Sequence, residues 1–200
     1  ADLPFARSAH EVCLRRAFSR FSGGPDFDTF CKNEAGWLEP YALFCAIGKQ
    51  QGGAAVWDWP APLRSRQPEA LAQAARENAE ELAFIRFCQY QFQRQWLALK
   101  AYANKKGLRI IGDIPFYVSG NSAEVWTEPG LFAVDESLRA SDRAGVPPDA
   151  FSADGQLWGN PLYRWDVQAQ DGFSWWKKRI RRCAALYDVL RIDHCRAFCN

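Results

Sequence analysis

Two runs in this sequence carry an apolar stretch up to a carboxylate: Leu108-Arg109-Ile110-Ile111-Gly112-Asp113-Ile114 and Asp188-Val189-Leu190-Arg191-Ile192-Asp193. Both read as β-strands, from their β-branched content and their length. Side chains alternate along a strand, so Arg191 and Asp193 share one side while Leu190 and Ile192 take the other. A guanidinium on that shared side lies within reach of the carboxylate, lowers its pKa and keeps it ionised. An ionised carboxylate in a pocket is equipped for nucleophilic attack, as in the double displacements that cleave acetals. Asp113 ends the other strand, and His194 follows Asp193 directly. Each residue also has an ordinary structural use. Arg-x-Asp at a strand end makes a common ion pair or helix cap, and Asp before Ile-Pro commonly fixes a turn. A loop histidine often hydrogen-bonds a carbonyl. Spacing alone leaves both readings open.

The elements that must position these groups follow from periodicity. The first hundred residues read as helical. Leu14, Ala17, Phe18 and Phe21 mark a short helix, ended by Ser22-Gly23-Gly24-Pro25. Phe27, Phe30, Cys31, Leu38, Tyr41 and Cys45 mark a second, with a break expected near Gly36. After a loop from Gly52 to Pro68, the positions Leu71, Ala74, Ala75, Leu82, Ile85, Phe92, Trp96 and Leu99 predict one long helix. Lys105, Lys106 and Gly107 close it. From Ser119 to about Asp171 the chain reads as a long irregular stretch, and loops of that length are usually functional. Phe173, Trp176, Ile180, Cys183, Ala184 and Tyr187 predict a last amphipathic helix leading into the second strand. Helix, strand, loop, helix, strand suits part of a parallel α/β fold, in which catalytic side chains project from C-terminal strand ends. With only two strands in view, the sequence is expected to be cut at both ends of a larger domain.

Composition narrows the partners. A net charge of +2 without a long basic run gives no electrostatic case for nucleic acid. No apolar stretch is long enough to span a bilayer, and no signal-like start is visible. Seven cysteines without CxxC pairs, and only His10 and His194, build neither a zinc site nor an even disulfide framework; reduced thiols are expected. Nine tryptophans belong to a high aromatic share, most of which must be core, and flat rings outside helices are a weak hint of sugar binding.

A series of longer motifs adds to this reading. Ile111-Gly112-Asp113-Ile114-Pro115-Phe116-Tyr117-Val118 is continued by Asn121-Ser122-Ala123-Glu124-Val125-Trp126. Gly145-Val146-Pro147-Pro148-Asp149-Ala150-Phe151-Ser152 is followed by Gly155-Gln156-Leu157-Trp158-Gly159-Asn160-Pro161-Leu162-Tyr163. Arg191-Ile192-Asp193-His194, with Arg196, closes the set, and Trp37-Leu38 with Tyr41-Ala42-Leu43-Phe44 belongs to it in the helical part. Together they resemble the 4-α-glucanotransferases of the amylomaltase and plant disproportionating type, in the family's order and over nearly the whole chain.

The resemblance implies a partial (β/α)8 barrel of the α-amylase type with helical insertions. Residues 1–107 would form a mainly helical subdomain and residues 108–200 a central barrel segment. It implies transfer of α-1,4-glucan segments between maltooligosaccharides or starch-type glucans by a retaining double displacement. Asp193 would be the nucleophile, Arg191 would hold and ionise it, and Asp113 would support them. Asp149, Phe151, Trp158, Asn160 and His194 would bind the glucan, with Trp158 either a stacking face or a buried strut of the loop. The family's general acid/base Glu and a further Asp fall beyond Asn200, and its first barrel strands precede Ala1. The isolated chain is therefore expected to be inactive. Cys195 stands where relatives usually have Phe, Ala197 where they often have Gly, and Ala150 where some have an aromatic. The chemistry calls for no cofactor, and no metal constellation is visible in the sequence. A cytoplasmic location is expected, with a plastid one left open, and the oligomeric state is not legible. An amylase-like hydrolase and a non-catalytic glucan-binding module are the alternatives.

Overall fold

The structure is a computed structural model that describes residues 3–148, 150 and 152–198, with side chains from Ser8 onward except those of Cys195 and Arg196. Two long helices dominate the first half. Helix α1 (Leu3–Phe18) leads to α2 (Pro25–Gln50), which begins with Pro25 and carries Asp26 and Asp28 in its first turn, where the helix dipole favours acids. The break expected near Gly36 is absent: α2 runs unbroken through Gly36 and Pro40. Pro40 lacks the N–H that would bond the Gly36 carbonyl, at a cost of about 3 kcal/mol. Burial of Phe30, Leu38, Ala42, Ala46 and Ile47 along the helix exceeds that cost, at roughly 1.5–3 kcal/mol for each large side chain.

The loop after α2 holds a 3-10 turn at Val56–Asp58 and the single turn α3 (Ala61–Arg64). The one long helix expected next is two: α4 (Pro68–Glu77) and α5 (Ala79–Lys105). They part at Asn78, whose side-chain amide donates to Ala74 O at 2.9 Å and Gln50 Oε1 at 3.0 Å. Asparagine competes with the helix for backbone partners in this way. Helix α5 ends as its sequence indicates, with Gly107 at φ 76° and the Leu108 N–H donating back to Ala103 O at 3.0 Å.

Strand β1 (Ile111–Ile114) then begins the second half. The stretch read as irregular is structured: α6 (Ala123–Thr127), the antiparallel pair β2 (Arg143–Val146) and β3 (Gln156–Pro161), and α7 (Trp165–Gln170). Four strands, rather than two, are therefore present among the described residues. Helix α8 (Ser174–Leu186) delivers the chain to β4 (Val189–Ile192). β4 lies parallel to β1, in the register Ile111↔Val189 and Asp113↔Arg191.

Several contacts lock that register. The Asp188 carboxylate accepts from Ile110 N and Asn104 Nδ2, both at 2.8 Å, and these bonds hold it below the usual carboxylate range. From α5, Trp96 Nε1 donates to Leu186 O at 2.8 Å and Lys100 Nζ to Tyr187 O at 3.1 Å. Gly112 is required by close approach, because a Cβ there would lie 2.2 Å from the Tyr187 ring. Two core clusters fill the interior, the first among the helices and the second against the end of β4 through Ile192. One gathers Ile47, Val56, Trp59, Ala74, Trp126 and Leu138; the other gathers Phe116, Val118, Val125, Phe132, Tyr163 and Trp176. No helix among the described residues is long and apolar enough to cross a membrane, and Cys13, Cys31, Cys45, Cys88 and Cys183 are free thiols.

Gly112→Ala is expected to destabilise the protein by about 1–3 kcal/mol, since the methyl group overpacks the contact with Tyr187. The measurement is the urea midpoint at unchanged m-value. A wild-type midpoint would show that the ring yields without cost.

Candidate active site

The parallel pairing sets Asp113 and Arg191 directly opposite one another, with Asp193 just past the end of β4. Arg191 bridges the two carboxylates: Nη1 donates to Asp113 Oδ2 and Nη2 to Asp193 Oδ2, each at 2.6 Å. The three side chains are about half exposed, at 54%, 57% and 48% for Asp113, Arg191 and Asp193, so water reaches them all. Solvent screening makes such pairs weak contributors to stability, and their effect here is geometric.

Asp193 is held ionised by more than the arginine. The backbone N–H of His194 donates to its Oδ1 at 2.8 Å and is the main reason its carboxyl lies below the usual range. Partial desolvation opposes this, and the charge on Arg191 reinforces it. Sequence spacing pointed to Arg191 as the source of ionisation; in the structure the adjacent N–H acts first. His194 itself has left-handed backbone just past the strand end, with φ 54°. Left-handed backbone costs a non-glycine residue roughly 1–2 kcal/mol.

An aromatic shelf adjoins these groups. The Trp158 ring lies 4.7 Å from the His194 ring and 6.1 Å from that of Tyr117. Its indole N–H donates to Gln156 Oε1 at 2.9 Å, and the residue is partly buried. Asn160 Nδ2 donates to Val118 O at 2.7 Å, tying β3 to the segment after β1. Asp149 and Phe151, expected in the same loop, lie outside the described residues. Arg191, Asp113, Asp193 and His194 are thus brought together, with Trp158 against His194 and Asn160 engaged in holding the backbone.

Two residues assigned no role from the sequence support the site. Tyr163 donates its hydroxyl to Phe116 O at 2.5 Å, and burial pushes its pKa up to about 12. Arg179 donates to Phe116 O at 3.0 Å and to the neighbouring Pro115 carbonyl. Its guanidinium also lies over the rings of Trp175 and Trp176, at 5.3 and 5.2 Å. Only the i, i+3 and i, i+4 spacing of Trp176, Trp175 and Arg179 on one helix marked it in the sequence.

Comparison with known proteins places the chain. The profile of the 4-alpha-glucanotransferase family matches residues 2–200. The chain belongs to this family. A 4-alpha-glucanotransferase of Thermus thermophilus is 52% identical over 191 residues, covering 92% of this chain and 38% of that protein. A Solanum tuberosum relative, named as chloroplastic/amyloplastic, is 43% identical over 166 residues, covering 83% of this chain and 29% of that protein. The solved amylomaltase from Streptococcus agalactiae in complex with acarbose matches with a TM-score of 0.94 at 39% identity, over 99% of this chain and 41% of that one. The α/β class of the fold follows from that match. The chain spans well under half the length of these relatives.

Carboxyl-carbon NMR titration of Asp193 is expected to give a midpoint below the ~3.9 of an unperturbed aspartate. Arg191→Met should raise it only part-way, since the His194 N–H remains. A lowered folded-state pKa stabilises the fold above the unfolded-state value. The contribution is lost as pH falls from about 4 through the folded-state value. An ordinary midpoint in the wild type would contradict the geometry.

Proposed function

We propose that this chain is the part of a 4-α-glucanotransferase that carries the nucleophile, and that the whole protein moves α-1,4-glucan segments between maltooligosaccharides. The observation that carries the reading is the Arg191 fork between Asp113 and Asp193 at the ends of two parallel strands. In this reading the Asp193 carboxylate attacks the anomeric carbon as the bond to the leaving sugar oxygen breaks, and a carboxylic acid protonates that oxygen. By family resemblance this acid lies elsewhere in the longer protein. The 4-hydroxyl of an acceptor sugar then attacks the glycosyl-enzyme, gives its proton to the same acid/base group, and frees Asp193.

Each chain residue has a part in that scheme. Arg191 fixes the direction of the Asp193 carboxylate, and the His194 N–H keeps its second oxygen unprotonated. Asp113 holds the other arm of the guanidinium. Trp158 and His194 line the glucan path, Asn160 holds the backbone beside it, and Asp149 and Phe151 are assigned to it by family resemblance alone.

We further read the fold as a segment of a (β/α)8 barrel, with residues 1–107 as its helical insertion and residues 108–200 as its central part. Support comes from the two-stranded parallel sheet, since parallel strands are ordinarily covered on both faces. Here Ile111, Leu108 and Tyr102 stand 66%, 63% and 63% exposed, as residues awaiting further strands would. A cytoplasmic or plastid setting belongs to the same proposal.

In the full-length protein, Asp193→Asn is expected to lower transfer from maltotriose by at least about a thousandfold while leaving the melting temperature unchanged. Near-normal transfer, with the substitution confirmed by mass, would remove Asp193 from its role. Glucose release without any longer oligosaccharide in the wild type would replace transfer with hydrolysis.

A further inference from the structure

The shelf beside Asp193 holds one polar group that the fold leaves unused. Tyr117 is half-buried, and its ring is fixed by three others. It stacks on Tyr163 at 5.8 Å and 13°, meets Phe116 edge-on at 4.9 Å, and leans on Trp158 at 6.1 Å and 54°. Tyr163 is itself anchored through the Phe116 carbonyl and Arg179, so the direction of the Tyr117 ring is set from beneath. Yet the Tyr117 hydroxyl has no hydrogen-bond partner among the described residues. Phenols that are partly buried usually find one. Phenylalanine would serve the packing equally well.

Position says what the hydroxyl is for. Trp158 touches both Tyr117 and His194, and the His194 N–H holds Asp193. The 54° between the two rings makes Trp158 a floor and Tyr117 a wall. A pyranose has an apolar face, which suits an indole floor, and hydroxyls around its rim, which suit a donor in the wall. A phenol keeps its proton at neutral pH, and burial pushes the Tyr117 pKa further up.

We infer that Tyr117 is a substrate-contacting residue, its hydroxyl donating to a rim hydroxyl of the sugar that lies over Trp158. The inference rests on the glucan reading above and adds a specificity-determining contact to it. Phe116, Tyr163 and Arg179 are positioning residues for that contact, and none of them need meet the sugar.

The test uses the full-length protein and Tyr117→Phe, which removes one oxygen and no packing. In disproportionation of maltotriose, the variant is expected to raise KM about 3- to 10-fold, with kcat within about twofold. Its melting temperature should equal that of the wild type, because the hydroxyl bonds nothing in the protein. Calorimetry with acarbose should show the same ratio in Kd. A merely structural tyrosine would shift the melting temperature and leave KM alone. Transfer by the wild type with an unchanged KM and Kd in the variant overturns the inference and leaves the glucan-transfer reading standing. If the wild type only hydrolyses maltotriose, the transfer reading fails and the KM ratio for hydrolysis still decides Tyr117. A wild type that neither converts maltotriose nor binds acarbose overturns both.

Discussion

Everything at the site depends on β1 and β4 lying side by side in one register, although β1 ends at Ile114 and β4 begins only at Val189. Slippage by a single residue would turn Arg191, with Asp193, to the opposite face and part it from Asp113. A two-stranded parallel pair has little intrinsic hold on its register, so it is supplied from outside the ladder. Asp188 bonds across to Ile110 at the entry of both strands, and α5 grips the α8–β4 junction through Trp96 and Lys100. Gly112 lets the Tyr187 ring approach β1 closely. At the exit, Arg179 and Tyr163 bind the carbonyls that follow Ile114. The helical half of the chain acts on the strand ends through these contacts.

The choice of arginine at position 191 follows from geometry. One guanidinium sends separate N–H groups to two carboxylates on different strands, which the single ammonium of lysine does less well. Two carboxylates around one cation leave the cluster with a net negative charge, open to water. Long-range attraction therefore contributes little, and direction contributes most. Direction is also what the His194 N–H provides, since it bonds Asp193 Oδ1 while Arg191 holds Oδ2.

Sequence reading reached some of this and not the rest, for identifiable reasons. The two parallel strands were legible because their apolar runs are bounded and β-branched, and the alternation of Arg191 and Asp193 follows from strand geometry alone. The family was legible from the motifs around Asp113, Trp158 and Asp193. The β2–β3 hairpin was not, because its strands are short and interrupted by Gly145 and Gly159, which read as loop. Gly145 is there because a Cβ would strike Gln156 O at 2.4 Å, a tertiary fact. The unbroken course of α2 through Pro40 was hidden for the same reason: core burial overrode a local signal. The parting of α4 from α5 rests on Asn78 side-chain bonds that no periodicity predicts. Aromatic content was a poor guide to sugar binding, since Trp59, Trp126 and Trp176 are buried core and only the position of Trp158 sets it apart.

The same aromatics explain why a short, weakly polar turn of helix matters to a site it never touches. In α6, Val125 and Trp126 are neighbours in sequence, yet they enter different core clusters. Ser122 caps the helix by accepting from Val125 N, and Asn121 accepts from Val56 N, which ties the turn to the helical half. Trp126 donates to Leu63 O and packs on Trp59 and Phe44. Val125 packs within the cluster of Phe116 and Tyr163, the two residues that orient Tyr117. Close-packed interiors transmit displacement. A shift of the loop around Trp59 would therefore reach the strand-end turn after Asp113 through one turn of helix, which makes the helical half part of the support for the carboxylates.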